Sequence, residues 1–267
     1  MTRIPGGVAA IVDLEAIERN LFRSRVTHEG GPNVVYGGAV AAQALRAASH
    51  TVDDGALAHS LHAYFIRPGD VAAPVVYRVD IDRDGRSFLS RRVVAIQHGE
   101  VILNMVCSFH RPAEGIDYQA RRLPQVEPPE ELPDLPSRHW VAVHGMTVRV
   151  PTQVKDDLAF PSRFWIRNDL PLGDNPDEHA CAVAYLSDIG SGLTLVPGVQ
   201  PGTRMSTVDH SMWFYRPARA DEWMFVDLTV ESTASGRGMY SGRIFDRDGR
   251  LLTGLTQESL FLPPRAT

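Results

Sequence analysis

The chain writes nearly the same phrase twice: Tyr64-Phe65-Ile66-Arg67-Pro68 and, 149 positions later, Trp213-Phe214-Tyr215-Arg216-Pro217. Further along, Gly85-Arg86 is answered by Gly236-Arg237. Ser108 with Pro112 is answered by Ser259 with Pro263, now at an offset of 151. An offset that drifts so little describes two related units with small insertions. It is far longer than a solenoid period of about 20–50 residues. The pattern is two copies of one compact fold, fused, in which a site can sit in one copy or between them.

Each copy reads as a helix followed by strands. Ala39 to Ala48 is alanine-rich, without proline and almost without charge, and predicts a buried helix. Before it, residues 12–22 read as a short amphipathic lead-in, helix then strand, and Asn33 to Gly38 as a loop. After it, Leu61 to Arg67, Pro74 to Asp82, Ser87 to Gln97 and Val101 to His110 read as strands. In the second copy, Ser162 to Ile166 predicts a strand and Asp177 to Ser187 a helix. Met205 to Tyr215, Trp223 to Ser232, Gly238 to Arg247 and Leu251 to Leu262 predict further strands. The fold class is α+β. Between the copies stand Pro124, Pro128, Pro129, Pro133 and Pro136, a spacing that no strand or helix survives. The expected organisation is an N-terminal unit over 1–122, a linker over 123–136 and a C-terminal unit over 137–267.

Composition narrows the function. The 267 residues suffice for a sizeable core, and a net charge of −5 argues against a nucleic-acid binder that relies on bulk charge. Of 27 basic residues only Lys155 is a lysine, which fits arginine-rich codon usage and leaves room for individual phosphate-binding forks. Cys107 and Cys181 have no metal-type spacing and sit in apolar runs, so they read as buried structural thiols. His59 and His62, three apart on a strand, point to opposite faces and make a poor metal pair. No bound metal or cofactor is expected. The N-terminal residues lack a signal-peptide apolar region, and no run approaches the ~18 apolar residues of a membrane span. A cytoplasmic protein without membrane insertion is the expectation. The hydrolase elbow Gly-x-Ser-x-Gly, the phosphate loop and the dinucleotide fingerprint are all absent.

Asymmetry between the copies is more informative. The 149 offset sets Thr207 against Ala58 and Asp209 against Ser60; an offset of 150–151 sets Gln257 against Cys107 or Val106. Gln257 interrupts a run suited to burial, and an unbonded buried amide costs roughly 1–3 kcal/mol. Asp188 ends the second helix, where a carboxylate meets the unfavourable end of the dipole. Each has a structural alternative: Asp188 capping the next loop, Thr207 and Gln257 satisfying nearby backbone.

Several blocks resemble the acyl-CoA thioesterase II family. They are Gly37 to Ala44, His62 to Gly69, Arg163 to Arg167, Tyr185-Leu186-Ser187-Asp188, Thr207 to Phe214, and Gln257-Glu258. They run in family order from about residue 10 to residue 262. The resemblance implies a double hotdog: two long helices, each wrapped by an antiparallel sheet, in one chain. It also implies hydrolysis of a fatty acyl-CoA, with Asp188, Thr207 and Gln257 holding the attacking water. The short N-terminus and the proline-rich linker depart from the family without touching these motifs. A helix N-terminus would polarise the carbonyl; Gly37-Gly38 allow close approach, but the sequence leaves open which helix end serves. A hotdog enoyl-CoA hydratase and a non-catalytic acyl-CoA-binding protein are the competing readings. One productive site per chain is expected, with copy one keeping packing or CoA contacts through arginines such as Arg86 and Arg92. A homo-oligomer, dimer or larger, is expected too, with strands such as Ser87 to Gln97 offering a pairing edge.

Overall fold

The computed structural model describes residues 6–31, 33–53, 55–133, 145–152, 161–199 and 203–262. The chain opens with a short helix, α1 (Gly7–Val12), and a hairpin, β1 (Leu14–Glu18) and β2 (Leu21–Ser24). The lead-in helix therefore ends where the sequence reading had it begin. A small second sheet follows, β3 (Glu29–Gly31) with β4 (Val34–Val35), inside part of the expected loop. Helix α2 (Gly37–Ser49) starts two residues earlier than expected, because its two leading glycines are themselves helical.

The first copy continues with β5 (Leu57–Phe65), β6 (Val76–Asp84), β7 (Phe88–Gln97) and β8 (Glu100–His110). The second contains β9 (Met146–Arg149), β10 (Arg163–Asn168), α3 (Pro176–Leu186), β11 (Arg204–Phe214), β12 (Met224–Ala234), β13 (Arg237–Asp246) and β14 (Leu251–Leu262). Strand β9 was not legible: four residues beside a proline-rich stretch give too short a pattern.

The twelve long-range strands form one antiparallel sheet in the order β1-β2-β6-β7-β8-β5-β11-β14-β13-β12-β10-β9. The order is palindromic about the β5–β11 seam, so each strand of one copy has its counterpart in the other. At the seam His62 pairs with Ser211, its own counterpart at the 149 offset, and their side chains meet at 3.1 Å. The pseudo-twofold axis passes through this pair. Strand β7 lies between β6 and β8, not at an edge; the edges are β1 and β9. The meander β6-β7-β8 encloses β7 because β8 still has β5 to pair with on its far side.

Register resolves the asymmetry left open above. A bulge falls between Ala58 and Ser60 in copy one and between Thr207 and Asp209 in copy two. Beyond it, Leu61 pairs with Cys107 as His210 pairs with Gln257. Cys107, not Val106, is the counterpart of Gln257. One strand further, Arg91 opposes Cys107 as Tyr240 opposes Gln257.

Helices α2 and α3 pack together against the sheet's inner face within one apolar core. Eleven of the thirteen residues of α2 are buried, mostly alanines, so the sheet approaches its backbone closely. The one amide there, Gln43, is satisfied: its nitrogen donates to the carbonyls of Ile11 (2.7 Å) and Val26 (2.9 Å), and its oxygen accepts from Tyr77 (2.6 Å). Cys107 and Cys181 are buried free thiols, and burial pushes Cys107 up to about 12.

The proline-rich segment is less a tether than a strap. It forms a 3₁₀ turn at Pro129–Glu131, with proline in the first turn, where its missing N–H costs nothing. Leu123, Val126 and Leu132 cover a second cluster of Trp165, Trp223, Phe225 and Phe245. Trp165 donates to Glu127 O at 2.9 Å and Arg247 pairs with Glu130 at 2.7 Å. Residues 134–136 of the expected linker, and the start of the expected C-terminal unit over 137–144, lie outside the described residues.

Candidate active site

Asp188, Thr207 and Gln257 are brought together from three elements. Ser187 closes α3, its N–H donating to Val183 O at 3.0 Å, and Asp188 is the next residue. Thr207 stands at the β11 bulge, which turns the strand locally. Gln257 lies in the middle of β14 and is buried. The Gln257 amide donates to Asp188 Oδ1 (2.9 Å) and to Thr207 Oγ1 (2.8 Å), and Thr207 donates to Asp188 Oδ1 (3.2 Å). Asp209, the other polar outlier of β11, makes none of these bonds; its carboxyl is raised by burial and accepts from the Glu258 backbone.

The dipole objection to Asp188 dissolves in three dimensions. Although it follows the end of α3, it sits against the start of α2, whose Gly38 N–H donates to its carboxylate. An added Cβ on Gly37 would stand 2.7 Å from Asp188 Oδ2, so the carboxylate rests on the helix terminus itself. That terminus has no side-chain cap; residue Tyr36 precedes it in extended conformation. A carboxylate there is at the positive end of the dipole.

Burial nevertheless dominates the charge state. It raises Asp188 from 3.8 to about 6, against the opposing hydrogen bonds from Gln257, Thr207 and Gly38. Around it lies a set of aromatic hydroxyls that sequence reasoning passed over. Tyr36 donates to Tyr185 O at 2.9 Å, and Tyr185 Oη meets His28 Nδ1 at 2.7 Å. The phenols of Tyr36 and Tyr240 are raised by burial first and by the Asp188 charge second. His210, across from Gln257 on β11, is lowered to about 4 by burial and contacts Ser187 Oγ at 2.8 Å. The signal for His210 was its place beside Asp209 in a quoted block; Tyr36 carried no signal beyond preceding the glycines.

Chemically the cluster is a neutral-pH base with two hydrogen-bonding partners beside an uncapped helix N-terminus. No group of metal-binding side chains occurs among the described residues. No helix there is long and apolar enough to cross a membrane.

A sheet of two halves related by a pseudo-twofold axis, each wrapping one helix, defines the double hotdog class. Known proteins similar to this chain agree. The N-terminal domain model of the acyl-CoA thioesterases matches residues 24–110 and the C-terminal domain model residues 120–261. The chain is 37% identical to the crystal structure of the acyl-CoA thioesterase II TesB2 from Mycobacterium marinum, with TM-score 0.81 over 97% of this chain and 98% of that one. It is 31% identical to acyl-CoA thioesterase 2 of Haemophilus influenzae, over 97% of this chain and 98% of that protein. A hot dog protein of unknown function from Alicyclobacillus acidocaldarius, 22% identical with TM-score 0.79 over 97% and 98%, shares the fold. The chain belongs to the acyl-CoA thioesterase II family.

Proposed function

We propose that the protein hydrolyses the thioester of a fatty acyl-CoA to free acid and CoA, using a water held by Asp188, Thr207 and Gln257. The observation that carries this is the convergence of the Thr207 and Gln257 side chains on Asp188 Oδ1, at the N-terminus of α2. Asp188 takes the water's proton as general base. Thr207 and Gln257 orient the water and fix the carboxylate. The peptide dipoles at Gly37-Gly38 face the charge that develops on the thioester oxygen. No acyl-enzyme is required, because the water activated by Asp188 attacks the thioester carbon directly.

The competing hydratase reading needs an Asp and His pair to add water across a double bond. His210, lowered to about 4 by burial, is a weaker base than Asp188, and its Nε2 is engaged with Ser187 Oγ at 2.8 Å. A non-catalytic binding protein has no need of a carboxylate held near neutrality.

Free-thiol release from a panel of acyl-CoAs tests the activity, and its pH dependence tests the base. The rate is active-form limited: kcat/KM should rise with pH and level off above a midpoint near 6, following Asp188. A midpoint at the ordinary aspartate position near ~4 rejects Asp188 as the base. Thr207→Val should cost less than loss of the carboxylate, about tenfold, since Gln257 still holds Asp188. A Thr207→Val variant slower than Asp188→Asn overturns that ranking.

Self-association also belongs to this reading. Among the described residues β1 and β9 are the edge strands of the sheet, and Tyr64 and Val106 are exposed beside the seam. Light scattering at micromolar concentration is expected to return a dimer or larger; a clean monomer contradicts it.

A further inference from the structure

A cavity of about 320 Å³ opens at the other end of the β5–β11 seam from Asp188. Its place is not arbitrary. Its wall Phe214-Tyr215-Arg216-Pro217 is the counterpart of Phe65-Ile66-Arg67-Pro68, and Phe65 packs beside Gly37 at the Asp188 site. Ala58, the counterpart of Thr207, lines it. Pro176 and Ala180 of α3 line it as the start of α2 lines the other site. The cavity is the Asp188 site's image under the pseudo-twofold axis.

We propose that this cavity is a second acyl-thioester site, one that binds the acyl chain of an acyl-CoA without hydrolysing it. The proposal rests on the functional reading above. The space has been kept while Thr207, Gln257 and the open helix terminus have lost their counterparts. Ala58 has no hydroxyl. Cys107 stands where Gln257 does, its thiol contacting Arg91 O at 3.6 Å. Arg91, fully buried, fills the place of Tyr240 and is committed to Thr51 Oγ1 (2.8 Å), Thr51 O (2.9 Å) and Asp84 (2.6 Å). The α3 terminus begins with Pro176, which has no N–H. Its cap Asn175 takes the Asp177 N–H at 3.0 Å, and Asp177 and Glu178 stand in the first turn. Unlike the start of α2, this one offers nothing to an oxyanion.

The lining selects the ligand. Leu57, Ala58, Ala180 and Phe214 form an apolar wall suited to an alkyl chain. His59 and His110, on the paired strands β5 and β8, stand side by side in the lining with tilted rings, centroids 6.3 Å apart. His59 Nδ1 is buried without a hydrogen-bond partner, so that edge of the ring presents no polar anchor to the cavity. Burial, then His110 and His62, keep the His59 ring below its usual range and so uncharged near neutrality. The guanidinium of Arg216 is spent on Asp117 and Leu251 O. With no free cation in the lining, a neutral thioester fits better than the carboxylate of a fatty acid.

The probe is a non-hydrolysable thioether analogue of a long-chain acyl-CoA, followed by equilibrium dialysis against the full chain. Two analogues bound per chain are expected. Ala180→Phe, which fills the cavity, should bring the count to one with kcat unchanged. Ala218→Trp, also in the lining, serves the same purpose if Ala180→Phe does not fold by circular dichroism. One analogue per chain in the parent overturns the proposal, as does a count of two that neither cavity-filling variant lowers. Displacement of the second analogue by an equal concentration of the free fatty acid overturns the thioester assignment. None of these outcomes touches the hydrolytic reading, which fails separately if the parent releases no thiol from any acyl-CoA.

Discussion

Asp188→Asn is expected to lower kcat/KM by ~10²–10⁴ while leaving the protein at least as stable as the parent. The two effects have one cause. In the folded chain the Asp188 carboxyl is raised from 3.8 to about 6, chiefly by burial. Between those values the folded state holds a proton that the unfolded state has released. Stability therefore falls as pH rises through that window, by at most about 3 kcal/mol for a shift of roughly two units. Above pH 6 the parent carries the full cost of a buried charge, and a neutral asparagine does not. The gain stays below that ceiling, because asparagine loses one of the two acceptors that face Gly38, Thr207 and Gln257. The thermal midpoint of Asp188→Asn should exceed the parent's at pH 8, and the difference should shrink towards pH 4. Thiol release within twofold of the parent would falsify the general-base role, whatever the midpoints do.

That opposition of stability and activity explains why the site residues were visible in the sequence. A polar residue placed in a buried strand stands out because burial disfavours it. Thr207 and Gln257 stood out against Ala58 and an apolar partner, and Asp188 against its own helix end. The fold was legible for a different reason: two copies of one phrase, with helix before strands in each, leave few arrangements. What stayed hidden depends on pairing across the chain. The bulge at Thr207 exists only when β11 meets β14. The choice between Cys107 and Val106 needed a register that no single strand contains. Arg91 carried no signal of its own in the sequence; only the packing shows it buried in the image of the Asp188 site. The strap over 123–133 was read as a linker because prolines exclude regular structure, yet prolines do not prevent packing against Trp165 and Phe225. The identity of the helix end at the carboxylate was likewise a tertiary fact, since Gly37 and Asp188 lie in different copies.

Gly38→Ala tests that last fact, and its expected sign is contrary to the usual one. Alanine in place of glycine within a helix ordinarily stabilises by about 1 kcal/mol. Gly38 has no left-handed backbone to forbid a side chain; what forbids it is contact. A Cβ there would lie 2.4 Å from Tyr185 O and 2.6 Å from Tyr36 Cε1. The carbonyl belongs to α3 and cannot step aside. The Tyr36 ring is held by its own hydrogen bond to the same oxygen, at 2.9 Å. Relief must come from moving the α2 terminus away from α3, and that motion carries the Gly38 N–H off Asp188. Overpacking of this kind costs ~1–3 kcal/mol. A shift of about 1 Å at a reacting group costs up to ~10²-fold in rate. Gly38→Ala should therefore lose both thermal stability and thiol release. Gly37→Ala, whose Cβ would meet the Asp188 carboxylate at 2.7 Å and the Phe65 ring at 3.3 Å, should lose activity with a smaller stability loss, since side chains can yield. A Gly38→Ala protein more stable than the parent and fully active would mean that α2 does not abut α3 here, and that the carboxylate is held by Thr207 and Gln257 alone.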